Sequence, residues 1–116
     1  MKVVNRGYIT IRPNKPFWDW ASEFESDMEF SVDDDVDPNV YLITDDFFDI
    51  EPILEQNFKK IFKNELSMIT DEESAWPQER SMEMFLEWFD LEIGTTVFDL
   101  EKSDLKVEKI EKFKCL

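Results

Sequence analysis

NVYLITDDFFDIEPILEQNFKKIFKNEL, residues 39–66, holds both halves of the expected fold, a strand and the helix that covers it. The opening residues Asn39-Val40-Tyr41-Leu42-Ile43-Thr44 form a nearly continuous apolar run, which suits a central strand buried on both faces. Asp49 stands where it can cap a helix over residues 50–66, and Pro52 falls in the first turn, where a missing N–H costs nothing. Ile50, Ile53, Leu54, Phe58, Ile61, Phe62 and Leu66 recur at helical spacing and make its inner face. Lys59, Lys60 and Lys63 lie outside, in the C-terminal half, where cations suit the helix dipole.

Toward the N-terminus, Gly7-Tyr8-Ile9-Thr10-Ile11-Arg12 alternates apolar and polar residues, as a half-buried strand does. Pro13 stops it, and Pro16 opens a short helix over 16–25 with Phe17, Trp20, Ala21 and Phe24 on one face. Toward the C-terminus, Thr70 to Pro77 reads as a loop, because Pro77 biases Trp76 away from helical angles. Ser81 is placed to cap a helix over 82–90, with Met82, Phe85, Leu86 and Phe89 as one stripe and Met84 and Trp88 as a second. Gly94 ends that pattern, residues 95–100 read as a third strand, and Ser103 opens a final helix with Leu105, Ile110 and Phe113 inward. The expected fold is a single α+β domain spanning residues 1–116. It has a small mixed or antiparallel three-stranded sheet, covered by three to four helices, with one edge open to pairing.

The 116 residues are 42% hydrophobic and 15% aromatic, enough to bury a core that an acidic disordered tail could not build. With 13 basic and 28 acidic residues, the net charge of −15 has the wrong sign for nucleic-acid phosphates and for anionic membrane surfaces. There is no histidine, so His-based triads, His-ligated metals and the usual proton shuttle are excluded. The single cysteine, Cys115, allows no internal disulfide and no Cys-based zinc site. The N-terminal residues lack an apolar signal core, and no run approaches the ~18 apolar residues of a membrane span. A cytoplasmic protein without a cofactor is expected.

The most specific feature is the segregation of charge. From Pro16 to Phe58 there is no Lys or Arg, against fourteen acids; from Asn64 to Glu101, Arg80 is the only base among eleven acids. Residues 102–116 then carry Lys102, Lys106, Lys109, Lys112 and Lys114. A one-sign field of this kind steers oppositely charged partners. Asp33, Asp34, Asp35, Asp37, Asp45 and Asp46 are therefore candidate contacts for a basic protein partner, in a decoy, inhibitor or immunity-like role. The plainer reading of the same acids is a solvated face. Trp76 and Arg80 form a second candidate spot, with Trp76 either exposed or folded inward to pin its loop; Trp18 is a further candidate for exposure.

A rival reading takes the clusters Asp33-Asp34-Asp35-Asp37 and Asp45-Asp46-Asp49 as oxygen ligands for a divalent cation, in a metal-binding protein or a metal-dependent enzyme. A calcium loop starting at Asp33 would need Gly at its sixth position and Glu at its twelfth, but holds Pro38 and Thr44 there. Only Gly7 and Gly94 are available, so no phosphate-cradling glycine loop exists, and nothing fixes two carboxylates around a cleft. The expectation is a non-catalytic protein. Self-association through the open sheet edge is a third reading.

Three stretches carry a resemblance: Ile9-x-Ile11-x-Pro13-x-x-Pro16-Phe17-x-x-Trp20; Ile61-Phe62-x-x-Glu65-Leu66; and Trp76-Pro77-x-x-Arg80 continuing through Phe85, Trp88-Phe89 and Val97-x-Asp99-Leu100. Together they resemble a family of small acidic bacterial proteins of unknown function. The resemblance implies a bacterial cytoplasmic origin and one compact domain, and it brings no activity or site residues.

Overall fold

The computed structural model describes residues 1–24 and 37–110. Among these residues five strands and three helices follow in the order β1 (Lys2–Val4), β2 (Gly7–Pro13), α1 (Lys15–Ala21), β3 (Asn39–Ile43), α2 (Ile50–Ser67), α3 (Met82–Trp88), β4 (Phe89–Gly94) and β5 (Val97–Asp99), with a 3-10 turn at Glu73–Ala75. The fold is a small α+β domain with two antiparallel sheets. A three-stranded sheet runs β3-β2-β4, and a separate ribbon pairs β1 with β5.

The centre of the larger sheet is β2, whose Ile9 faces Tyr41 on one side and Ile93 on the other. Period-two alternation sorts the strands onto two faces. Ile9, Ile11, Ile43 and Phe89 are buried against the helices. Tyr8, Thr10, Arg12, Val40, Leu42, Asp90 and Glu92 occupy the other face, which no described helix covers. Expecting β3 to be central is thereby corrected: it lies at the edge, with Val40 and Leu42 60% and 51% exposed. An apolar run cannot by itself distinguish a strand buried on both sides from an edge strand with an apolar outer face.

Helix α2 lays Ile53, Leu54, Phe58, Ile61, Phe62 and Leu66 on the sheet; Ile50, expected with them, is half exposed. Asp49 occupies the N-cap position without a side-chain cap bond. Helix α1 ends at Ala21, so Phe24 lies beyond it and is exposed. Phe17, Trp20, Phe62, Phe85, Trp88 and Phe89 form one aromatic cluster, with neighbouring ring centroids 5.3–6.2 Å apart. The indole of Trp20 also donates to the Ala75 carbonyl (3.1 Å), tying α1 to the turn after α2.

Ser81 caps α3 as expected, its Oγ accepting from the Met84 N–H at 3.1 Å. Ser81→Ala should lower stability by about 1 kcal/mol, read from the urea midpoint at unchanged slope. Helix α3 ends two residues before the expected limit, and the chain passes directly into β4 at Phe89. Phe89 satisfies both the helical stripe and the alternation Phe89-Asp90-Leu91-Glu92-Ile93, and pairing with β2 decides for the strand. The strand expected over 95–100 is the shorter β5, which belongs to the ribbon with β1, an element the sequence reading omitted.

Between Ser103 and Ile110 there is no helix, and all of residues 101–110 are exposed. Leu105 and Ile110 are five residues apart, which breaks the i, i+3, i+4 stripe that a docked helix needs. Phe113 lies outside the described residues.

Gly7 sits where β2, β3 and β4 converge. A Cβ there would stand 2.7 Å from the Gly94 carbonyl oxygen and 2.8 Å from that of Thr44, both backbone atoms. Gly7→Ala should therefore cost about 1–3 kcal/mol, because the strands themselves must move. A thermal melt checks it.

Candidate functional site

The acidic residues named from the sequence bracket strand β3. Asp37 precedes it, Asp45 and Asp46 follow it, and all three are exposed. Between them Val40 and Leu42 present an apolar outer surface. Among the described residues β3 pairs only with β2, so its second edge is unpaired. Asp33, Asp34 and Asp35 lie outside the described residues.

Beside that edge is a hollow of about 280 Å³, lined by Tyr41, Leu42 and Ile43 of β3 and by Asn57, Lys60, Ile61 and Asn64 of α2. The α2 residues recur every three or four positions and so form one stripe. Ile110, at the far end of the described chain, lines the same hollow.

Beneath it lies the one buried carboxylate among the described residues, Glu65, 2% exposed. Tyr41 donates its hydroxyl hydrogen to Glu65 Oε2, Asn39 Nδ2 donates to the same oxygen at 2.8 Å, and Asn64 Nδ2 donates to the Tyr41 hydroxyl at 2.9 Å. Burial pushes the Glu65 carboxyl up from its ordinary value, and the bonds from Tyr41 and Asn39 pull it partly back. Burial also raises Tyr41, followed by the Glu65 charge and the bond to it, so the phenol remains a donor. The cluster joins the edge strand to α2 through polar contacts, and every buried side-chain polar atom described has a partner.

The second candidate spot divides. Trp76 is 4% exposed, and its indole donates to the Thr70 carbonyl at 2.9 Å; the expectation of an exposed Trp76 is corrected, and its inward alternative is what the chain adopts. Burying the ring removes a large apolar area from water and closes the loop after α2 over the core. Arg80 packs its guanidinium 5.9 Å from the Trp76 ring centroid and donates to the Pro77 carbonyl at 2.7 Å, rather than reaching Glu73 or Glu79. Only half-buried Arg80 of this pair meets solvent. Trp18 is half-buried against the core, its ring 5.2 Å from that of Phe17.

No protein-family model, no curated protein and no solved structure matches the chain. The site is therefore read from its own chemistry. Among the described residues no three acids or cysteines converge closely enough to hold a metal ion, so Asp45, Asp46 and Asp49 do not form a ligand set by themselves. No described helix is long and apolar enough to cross a membrane.

The Glu65 cluster was not foreseen, because Glu65 reads as one more surface acid among lysines. A signal was present: Glu65 sits between Phe62 and Leu66 on the inner stripe of α2, where a charged residue needs partners.

Proposed function

We propose that this chain is a non-catalytic protein-binding module that captures a basic protein on the acid-flanked face and edge of β3. The observation that carries the reading is the placement of Asp37, Asp45 and Asp46 at both ends of an unpaired edge strand whose Val40 and Leu42 are exposed. Such a surface combines the two ingredients of recognition: an apolar centre that gains from losing water, and charges around it that set encounter rate and partner choice. An unpaired edge also offers backbone donors and acceptors to an added strand. A decoy, inhibitor or immunity-like role follows from the sign of the charge, since the partner's complementary surface is basic.

Affinity capture from the native cell's lysate tests this, with washes at about 0.1 M and then 0.5 M salt, where screening lengths fall from about 10 Å to well below that. The reading expects a stoichiometric basic protein that is retained in the first wash and depleted in the second. Absence of any stoichiometric protein at the lower salt would contradict it.

A further inference from the structure

From Asn64 to Glu101 the chain carries eleven acids and one base, lysines recur from Lys102 onward, and the structure describes that last part as far as Ile110. After β5 it passes beside β1, where Lys2 Nζ donates to the Ser103 carbonyl at 2.9 Å and lies 3.5 Å from that of Lys102. Leu105 lines a second hollow with Val3, Val4 and Asn5. The segment then reaches β3 and α2, where Ile110 lines the hollow bounded by Tyr41, Leu42 and Ile43. No backbone hydrogen bond joins it to β3 among the described residues.

We propose that the hollow between β3 and α2 is an intramolecular docking site for the chain's own segment Lys102–Ile110, whose Ile110 takes up apolar surface that the partner would use, as a stand-in does. Two observations select this occupant over a second copy or a foreign segment. Ile110 lines the hollow at its apolar wall, and the bond from Lys2 marks where the segment leaves the ribbon. Charge contributes little, since Lys102, Lys106 and Lys109 of the segment are nearly balanced by its own Asp104 and Glu108. Lys60 on the α2 wall opposes those lysines locally, so the apolar contact of Ile110 carries the seating. Ile110 stays 71% exposed, and the segment forms no strand with β3, so a partner can displace it. Because the segment is covalently attached, its effective concentration at the hollow is high even where the contact is weak.

Displacement by a partner rests on the proposed function; the seating itself does not. The test uses the full chain, with a nitroxide spin label on its single thiol, Cys115, and amide spectra of the folded protein. The proposal predicts loss of most of the amide signal at Leu42, Ile43, Asn57 and Ile61, and recovery of those signals in Ile110→Asp. Undiminished signals there, or losses that persist in Ile110→Asp, overturn it. The same losses in unlabelled isotope-enriched chain mixed with spin-labelled chain would place the segment on a second copy and also overturn it. Ile110→Asn, which adds no charge, should in addition retain more of the captured basic protein than wild type, and equal retention overturns the stand-in role. If no protein is captured while the signal losses appear, the proposed function fails and the docking site stands.

Discussion

Phe62→Ala should remove about 3–5 kcal/mol of stability, a large share of the about 5–15 kcal/mol that a typical domain has in total. Phe62 is fully buried, and its ring packs 5.9, 5.6 and 5.4 Å from those of Phe85, Trp88 and Phe89. Those partners come from α3 and from the first residue of β4, so no single helix can shift to fill the space. The cost is therefore lost transfer energy plus a cavity that cannot collapse. Phe48, fully exposed in the turn before α2, is the control: Phe48→Ala should change stability by no more than about 0.5 kcal/mol. Urea unfolding of the two variants side by side checks the pair. Equal effects would mean the aromatic cluster is not the core.

At Glu65 the expected effect depends on which atom is removed. Glu65→Ala leaves the Tyr41 hydroxyl and the Asn39 amide without their acceptor and opens space beneath the hollow, for a loss of about 2–4 kcal/mol. Glu65→Gln keeps an acceptor oxygen for both donors and removes the buried charge. The sign with pH follows from the direction of the shift. Burial raises the folded value above the unfolded one, so the folded chain binds the proton more tightly. That stabilisation is fully present below the ordinary carboxyl range and is lost as pH rises through the folded value. Gln does not titrate. The stability of Glu65→Gln relative to wild type should therefore rise from acid toward neutral pH, measured by urea unfolding between about pH 4 and 8. Taking the difference at each pH cancels the repulsion among the other acids, which both proteins share. A difference that falls over that range would show that the hydrogen bonds outweigh burial and that the carboxylate form is the favoured one.

How much of this was readable in the sequence depended on periodicity. The α2 stripe from Ile53 to Leu66 was legible because eighteen residues give five turns of repeated spacing, and only Ile50, the first residue of the helix, fell outside it. Ser81 was legible because capping is local chemistry. Strand β4 was hidden because Phe89 fits two periods at once and only its pairing with Pro13 of β2 selects one. The edge position of β3 was hidden for a related reason: pairing is a long-range choice, and Val40 and Leu42 look the same under a helix or in water. Of the candidate site, the acids were legible as charge; the geometry that makes them flank an apolar edge was not. Trp76 shows the reverse case, a ring in an acidic loop that reads equally as anchor or plug until its indole is seen bonded to Thr70.

The most direct test of the account is a comparison of two charge reversals with equal change in net charge. One is Asp37, Asp45 and Asp46→Lys around β3; the other is Glu72, Glu79 and Glu87→Lys, exposed positions away from that strand. Each is used beside wild type to capture the basic partner from the same lysate at about 0.1 M salt. The account predicts that the β3 reversal loses the partner while the distant reversal keeps most of it, with both variants folded by thermal melt. Equal retention by the two, or loss by both alike, would contradict it, because the acids would then act only through net charge and β3 would not be the surface that binds.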